Sequence, residues 1–224
     1  MSDNRTDREI IFNKVREGLV SVAPQSFPMP DTGKAFFRSG GDMEEEIGLL
    51  LAEVAKMGGT ARRIRGQDEL VAALADLLKK EQVKTAAVSD CGMLREQKIA
   101  ELLKDSNVDL LRCEGAGHNL SACDLGITVA DAVLPETGTV LLRTCREQPQ
   151  ALSLLPRICL VLAAPSALQR DLHNAFALAG GDRHFILVSG PSRTADIEKI
   201  LTLGVHGPKF FYLWVCESEL ISLP

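Results

Sequence analysis

The chain reads as an α/β protein: a three-layer α/β/α arrangement around a mostly parallel sheet, preceded by an N-terminal helical arm. Three observations predict this class. Short apolar runs alternate with amphipathic segments of about a dozen residues, the pattern of strands joined by crossover helices. Aromatic residues make up 4% of the chain and apolar residues 46%, so the core rests on Leu, Val, Ile and Ala. A length of 224 residues suits one domain with an appended arm.

Within the arm, residues 1–41, a helix over Asn4 to Val22 places Ile10, Ile11, Val15 and Leu19 near helical spacing. Pro24, Pro28, Pro30, Gly33, Gly40 and Gly41 then interrupt regular structure. The body, residues 42–224, opens with a helix from Asp42 to Met57. Ile47, Leu50, Leu51 and Val54 line one face, residues 44–46 are acidic at the positive dipole end, and Gly58-Gly59 ends it. The expected strands are Thr60–Ile64, Thr85–Ser89, Val108–Arg112, Gly126–Ala130, Thr139–Arg143, Ile158–Ala163, Phe185–Val188 and Phe210–Cys216. The expected helices are Asp68–Lys80, Arg95–Lys104, a short one at Leu120–Asp124, Ser166–Ala179 and Ser192–Leu203.

Composition narrows the function. A net charge of −5 argues against a nucleic-acid surface, which needs a basic patch. The runs Arg62-Arg63-Ile64-Arg65 and Lys79-Lys80 are too short to supply one and read as solvated faces. No run approaches the ~20 apolar residues of a membrane span. The start of the chain lacks the apolar stretch of a signal peptide, so a cytoplasmic location is expected. The six cysteines, Cys91, Cys113, Cys123, Cys145, Cys159 and Cys216, are scattered with no Cys-x-x-Cys. Structural zinc and iron–sulfur clusters use closer spacing. The thiols therefore read as core-filling, and no cofactor or metal is expected in this chain.

Two turns carry the candidate site. Phe185–Val188 runs into Ser189-Gly190-Pro191-Ser192-Arg193-Thr194, followed by an expected helix start. Backbone N–H groups at Gly190, the hydroxyls of Ser192 and Thr194, a helix dipole and the Arg193 fork would suit an anion. The same residues also read as a well-capped helix, with Asp196 in its first turn. His206-Gly207-Pro208-Lys209 adds cations one element later. The second turn, Glu136-Thr137-Gly138-Thr139, offers a carboxylate that could act as base, nucleophile or ligand anchor, or simply accept backbone bonds. Asp131 is near enough in sequence to pair with Arg143 or Arg157, and His118 with Asn119 lies in a loop after a strand. By the rule for open α/β sheets, ligands settle beyond the carboxyl ends of strands, where the Gly190 turn is expected. Gly115-x-Gly117 is an incomplete dinucleotide fingerprint, and no phosphate loop, His-Glu-x-x-His or Gly-x-Ser-x-Gly occurs.

The residues also carry a family resemblance. Asp124-Leu125-Gly126-Ile127-Thr128, Ala130-Asp131-Ala132, Glu136-Thr137-Gly138-Thr139, Ser153-Leu154-Leu155-Pro156, Gly190 through Glu198 and Gly204-Val205-His206-Gly207-Pro208 occur in order. Together they resemble the LUD domain of bacterial lactate-utilization proteins, most of all the type designated C, over about residues 42–224. The resemblance implies a fold similar to the sugar-phosphate isomerase and CoA-transferase group. It implies a role in oxidising L-lactate to pyruvate beside two partner proteins, at least one bearing iron–sulfur clusters. The expected ligand is an anionic small molecule at a rim built from Glu136, Thr137, Gly138, Thr139, Gly190, Ser192, Arg193, Thr194, His206 and Lys209. Arg193 would clamp it and Glu136 or His206 would move a proton. Two alternatives stand beside this one: an independent enzyme acting on a phosphorylated or CoA-linked substrate, and a non-catalytic module whose arm docks a partner.

Overall fold

The computed structural model describes residues 6–21, 40–113, 120–179, 184–195, 201–204 and 206–217. Two compact units are present, Met1–Phe37 and Arg38–Pro224. In the first, helix α1 (Asp7–Ser21) begins where the Glu9 carboxylate accepts the Thr6 N–H at 2.9 Å. Its Ile11, Val15 and Leu19, at helical spacing, are exposed.

In the second unit, Asp42 starts helix α2 (Met43–Lys56) through a reciprocal cap. The Asp42 carboxylate accepts the Glu45 N–H at 2.9 Å, and the Glu45 carboxylate accepts the Asp42 N–H at 3.1 Å. Strand β1 (Thr60–Ile64) leads to α3 (Gln67–Lys80), whose Leu70, Leu74, Leu77 and Leu78 are buried. Next come β2 (Thr85–Val88), α4 (Gly92–Glu96), α5 (Ile99–Asp105), β3 (Asp109–Leu111) and β4 (Leu125–Val129). The chain continues through β5 (Ala132–Leu134), β6 (Thr139–Arg143), α6 (Ala151–Leu154), β7 (Ile158–Ala163), α7 (Leu172–Ala179) and β8 (Phe185–Val188). Strands β9 (Arg193–Ala195), β10 (Leu201–Leu203) and β11 (Phe210–Cys216) complete it. None of the described helices is long and apolar enough to cross a membrane.

Six strands form an all-parallel sheet in the order β1-β11-β7-β4-β2-β3. The alternation of side chains along each strand feeds two cores. One face, with Ile64, Ile127, Ile158, Leu160, Leu162 and Trp214, packs against α3, α4 and α5. The other, with Cys159, Val161, Phe211, Leu213 and Val215, packs against α2 and against β5 and β6. Strand β4 also needs its glycine: a Cβ on Gly126 would come within 2.2 Å of the Leu152 carbonyl oxygen in α6.

Four expectations are corrected. Strands β6 and β8 do not join the parallel sheet; with the unexpected β5 they form an antiparallel sheet, β5-β6-β8, which α7 backs through Ala175. The expected helix over Ser192–Leu203 is instead an antiparallel hairpin, Arg193 pairing with Leu203 and Ala195 with Leu201. The expected helix Arg95–Lys104 is broken at Lys98, whose φ of 50° lies in the left-handed region and separates α4 from α5. Finally, the segment from Ser166 begins with a single 3-10 turn, Pro165–Ala167, and α7 starts only at Leu172. His118 and Asn119, with the Gly115-x-Gly117 loop, lie outside the described residues.

Candidate functional site

The two predicted turns do meet. In the antiparallel sheet Val140 is paired with Val188, which brings Thr139 beside Ser189. The Thr139 and Ser189 hydroxyls lie 2.7 Å apart, and Thr137 and Thr139 share a second 2.7 Å hydroxyl contact. This row of three hydroxyls forms one wall of a cavity of about 300 Å³. Glu136, Arg170 and Asp171 supply its charged groups, and Leu134, Leu172 and Leu187 its apolar wall. Glu136 and Arg170 are both exposed to solvent, and Arg170 forms no ion pair among the described residues. Asp171 accepts the Asn174 N–H at 2.8 Å and so caps α7.

The Glu136 turn owes its shape to Gly138. This residue has φ of +61°, and a Cβ there would approach the Val54 nitrogen to 2.8 Å. Pro135 opens the preceding 3-10 turn, Pro135–Thr137, where its fixed φ fits and its missing N–H is not needed. The turn is thereby pressed against the last part of α2.

The other half of the expected rim is arranged differently. Gly190, with φ of +111°, packs on Met57, whose Cβ and carbonyl oxygen would each lie 3.2 Å from an added Cβ. Its close approach is to α2, not to open space. The Arg193 guanidinium donates to the Met57 carbonyl oxygen, satisfying the end of α2. Ser192 donates its backbone N–H to Pro208 O at 2.9 Å, and Lys209 donates its own to Arg157 O at 2.8 Å. The Lys209 ammonium sits 5.4 Å from the Phe210 ring centroid, while His206 is exposed. With a hairpin in place of the expected helix, the expected positive helix end does not form beside Gly190 among the described residues. Thr194 lies within the hairpin, on β9.

The structure thus gathers Glu136, Thr137 and Thr139 around one cavity and leaves Arg193, His206 and Lys209 outside its lining. Lys209 and Arg157 immediately precede β11 and β7, so this cluster marks the amino ends of the parallel strands. The rule that ligands settle at carboxyl ends therefore does not select it. Sequence reading missed Arg170 and Asp171 because it ran one helix through both. The available signal was Asp171 itself, a capping residue followed by an apolar helix start. Asp131 does pair with Arg143, whose Nε donates to its carboxylate, and the Arg143 N–H reaches the same carboxylate at 2.7 Å.

The six cysteines are all unpaired thiols, three of them buried. Burial pushes the Cys159 and Cys216 thiols up to about 12 and Cys113 to about 11. A thiol must lose its proton to ligate a metal. Among the described residues no three side chains of the metal-ligating types come together.

The fold is that of an α/β protein with a parallel sheet and a small cavity beside it, and comparison with known proteins gives its family. The family model for the LUD domain matches residues 47–215. The chain belongs to that family. Lactate utilization protein C 1 of Bacillus mycoides is 31% identical over 179 residues, which cover 74% of this chain and 76% of that protein. Lactate utilization protein C of Halalkalibacterium halodurans is 40% identical over 95 residues, 38% of this chain and 40% of that protein. The crystal structure of a DUF162 family protein from Deinococcus radiodurans superposes with a TM-score of 0.60 at 18% identity. That match covers 79% of this chain and 99% of the other and speaks to fold alone.

Proposed function

We propose that this protein is a lactate-utilization subunit that takes part, with iron–sulfur partner proteins, in oxidising L-lactate to pyruvate. The observation that carries the reading is the Glu136 cavity, found in a chain whose relatives are named for lactate utilization. Its lining matches a small hydroxy acid part by part. Arg170 is the fork for the carboxylate, Leu134, Leu172 and Leu187 face the methyl group, and Glu136 with the Thr139 hydroxyl faces the 2-hydroxyl. The reaction breaks the O–H and C2–H bonds of lactate and forms the C2=O bond of pyruvate, releasing two protons and two electrons. Glu136 takes the hydroxyl proton. The C2 hydrogen leaves with both electrons as a hydride equivalent taken up by the partner proteins, because the thiols of this chain are dispersed and largely held protonated by burial.

Reconstitution tests the reading. The chain is combined with candidate iron–sulfur partner proteins and lactate-dependent reduction of a dye is followed. Removing a general base lowers turnover about 100-fold or more, so Glu136→Gln should lower kcat by that much while lactate still binds. Arg170→Ala should instead raise KM about tenfold or more, since a charged hydrogen bond to the carboxylate is lost. Full activity in both variants, or an equal rate without this chain, overturns the proposal.

A further inference from the structure

A second crevice lies at the carboxyl ends of the parallel strands β2 and β3. The chain leaves β2 toward β3 on one side and leaves β4 toward β7 on the other, so the connections diverge between β2 and β4. In open α/β sheets the carboxyl ends at such a divergence are where ligands settle. Here Val88–Asp90 and Leu111–Cys113 leave the sheet, and the Cys113 thiol donates to Val88 O at 3.3 Å. The segment after β6 folds over them and is held by one buried amide. Gln148, 5% exposed, accepts the Val129 N–H at 3.0 Å and donates to Val129 O at 3.1 Å. Between these walls is a cavity of about 510 Å³ lined by Val88, Asp90, Leu111, Arg112, Arg146 and Glu147.

The charges around it do not cancel. Asp90 pairs with Arg95 at 3.4 Å, Asp131 with Arg143, and Glu147 lies in the field of Arg146 and Arg95. Arg112 is left without an ion pair among the described residues while lining the cavity. An adjoining cavity of about 350 Å³ shares Val88 and Asp90 and has Ser89 in its wall. Ser89 is 2% exposed, and apart from the Cys91 thiol near it its hydroxyl reaches no hydrogen-bond partner among the described residues. A buried hydroxyl in that condition is costly unless something fills the space beside it.

We propose that this crevice is a binding site for a ligand bearing an oxyanion, a carboxylate or a phosphate, with the Arg112 guanidinium as its fork and the Ser89 hydroxyl as a polar contact deeper in. The site is separate from the Glu136 cavity, and the proposal stands or falls independently of the lactate reading. Its larger volume suits a bulkier molecule than a hydroxy acid.

Calorimetry on the full chain carrying Arg170→Ala, which removes the carboxylate fork of the Glu136 cavity, with inorganic phosphate and with pyruvate, each up to about 10 mM, tests it. Heat with phosphate alone identifies a phosphorylated ligand, heat with pyruvate alone a carboxylic acid, and heat with both a general oxyanion site. Arg112→Ala should weaken the binding about tenfold to hundredfold, and Arg112→Lys should restore part of it as a point charge without the fork. Arg112 is exposed, so both variants should keep the native circular dichroism spectrum. In the wild-type chain the phosphate heat should be the same within about twofold, because separate sites behave independently. No heat with either probe overturns the proposal. So does binding that survives Arg112→Ala in the Arg170→Ala chain.

Discussion

Asp124 shows how one side chain ties the sheet together. Burial raises the energy of its carboxylate, but hydrogen bonds from the Lys84 and Thr85 N–H groups and the Thr85 hydroxyl, with the charge of Arg157, outweigh burial and hold its pKa below the usual carboxylate value. It thereby links the starts of β2 and β7. A carboxylate with a depressed native pKa stabilises above the unfolded value and loses that contribution as pH falls through the native one. Asp124→Asn should cost about 1–3 kcal/mol by urea unfolding at pH 7. The gap to the wild type should close as pH drops below 3.8, the carboxylate's ordinary value. A gap that is constant with pH would mean that shape, not charge, sets the effect. Arg193 makes a complementary case. Its donation to Met57 O predicts that Arg193→Ala lowers stability by about 1 kcal/mol while lactate affinity is unchanged. A variant that keeps full stability but loses binding would return Arg193 to the role of clamp.

At the scale of elements, Gly138 joins a turn to a helix. Its positive φ and the 2.8 Å approach to the Val54 nitrogen leave no place for a methyl group. Gly138→Ala should destabilise by about 2–4 kcal/mol and lower the thermal midpoint by several degrees, since backbone on both sides must shift. An unchanged midpoint would show that the turn is not held against α2. The same scale shows what sequence disclosed and what it did not. Strands β1, β6, β7, β8 and β11 run over the residues expected of them, and α2 is announced by Asp42 and Glu45. These signals are local. Lys98 breaks a helix in the left-handed region without the glycine that would advertise it. The segment after Gly190 carries helical spacing and a capping residue, yet β9 and β10 pair as a hairpin. That choice is made by tertiary context, which overrides propensity. Sheet membership is likewise non-local: β6 and β8 look like their parallel neighbours but pair antiparallel with each other. The Glu136 half of the site was therefore legible from its own turn. Arg170 was not, because only the late start of α7 brings it to the cavity.

Across the whole molecule, stability depends on a parallel sheet buried on both faces, and its thiols report on that burial. Cys159 on β7 faces the core shared with α2, and Cys216 on β11 faces the core shared with α3, so together they sample both sides of the sheet. Burial pushes both thiols up to about 12. An unfolded chain would release those protons near pH ~8.5. The folded state therefore binds more protons above that value, and its stability is fully present below it and lost as pH rises toward the native pKa. The urea midpoint should accordingly fall between about pH 9 and pH 11, and the double variant Cys159→Ala with Cys216→Ala should flatten that fall. Exposed Cys145 should react with a thiol reagent first, whereas Cys159 and Cys216 should react only at the rate of global unfolding. An alkaline slope unaffected by the double variant would assign the loss to other groups. Rapid labelling of Cys159 in native buffer would show that the sheet opens locally instead of as one unit.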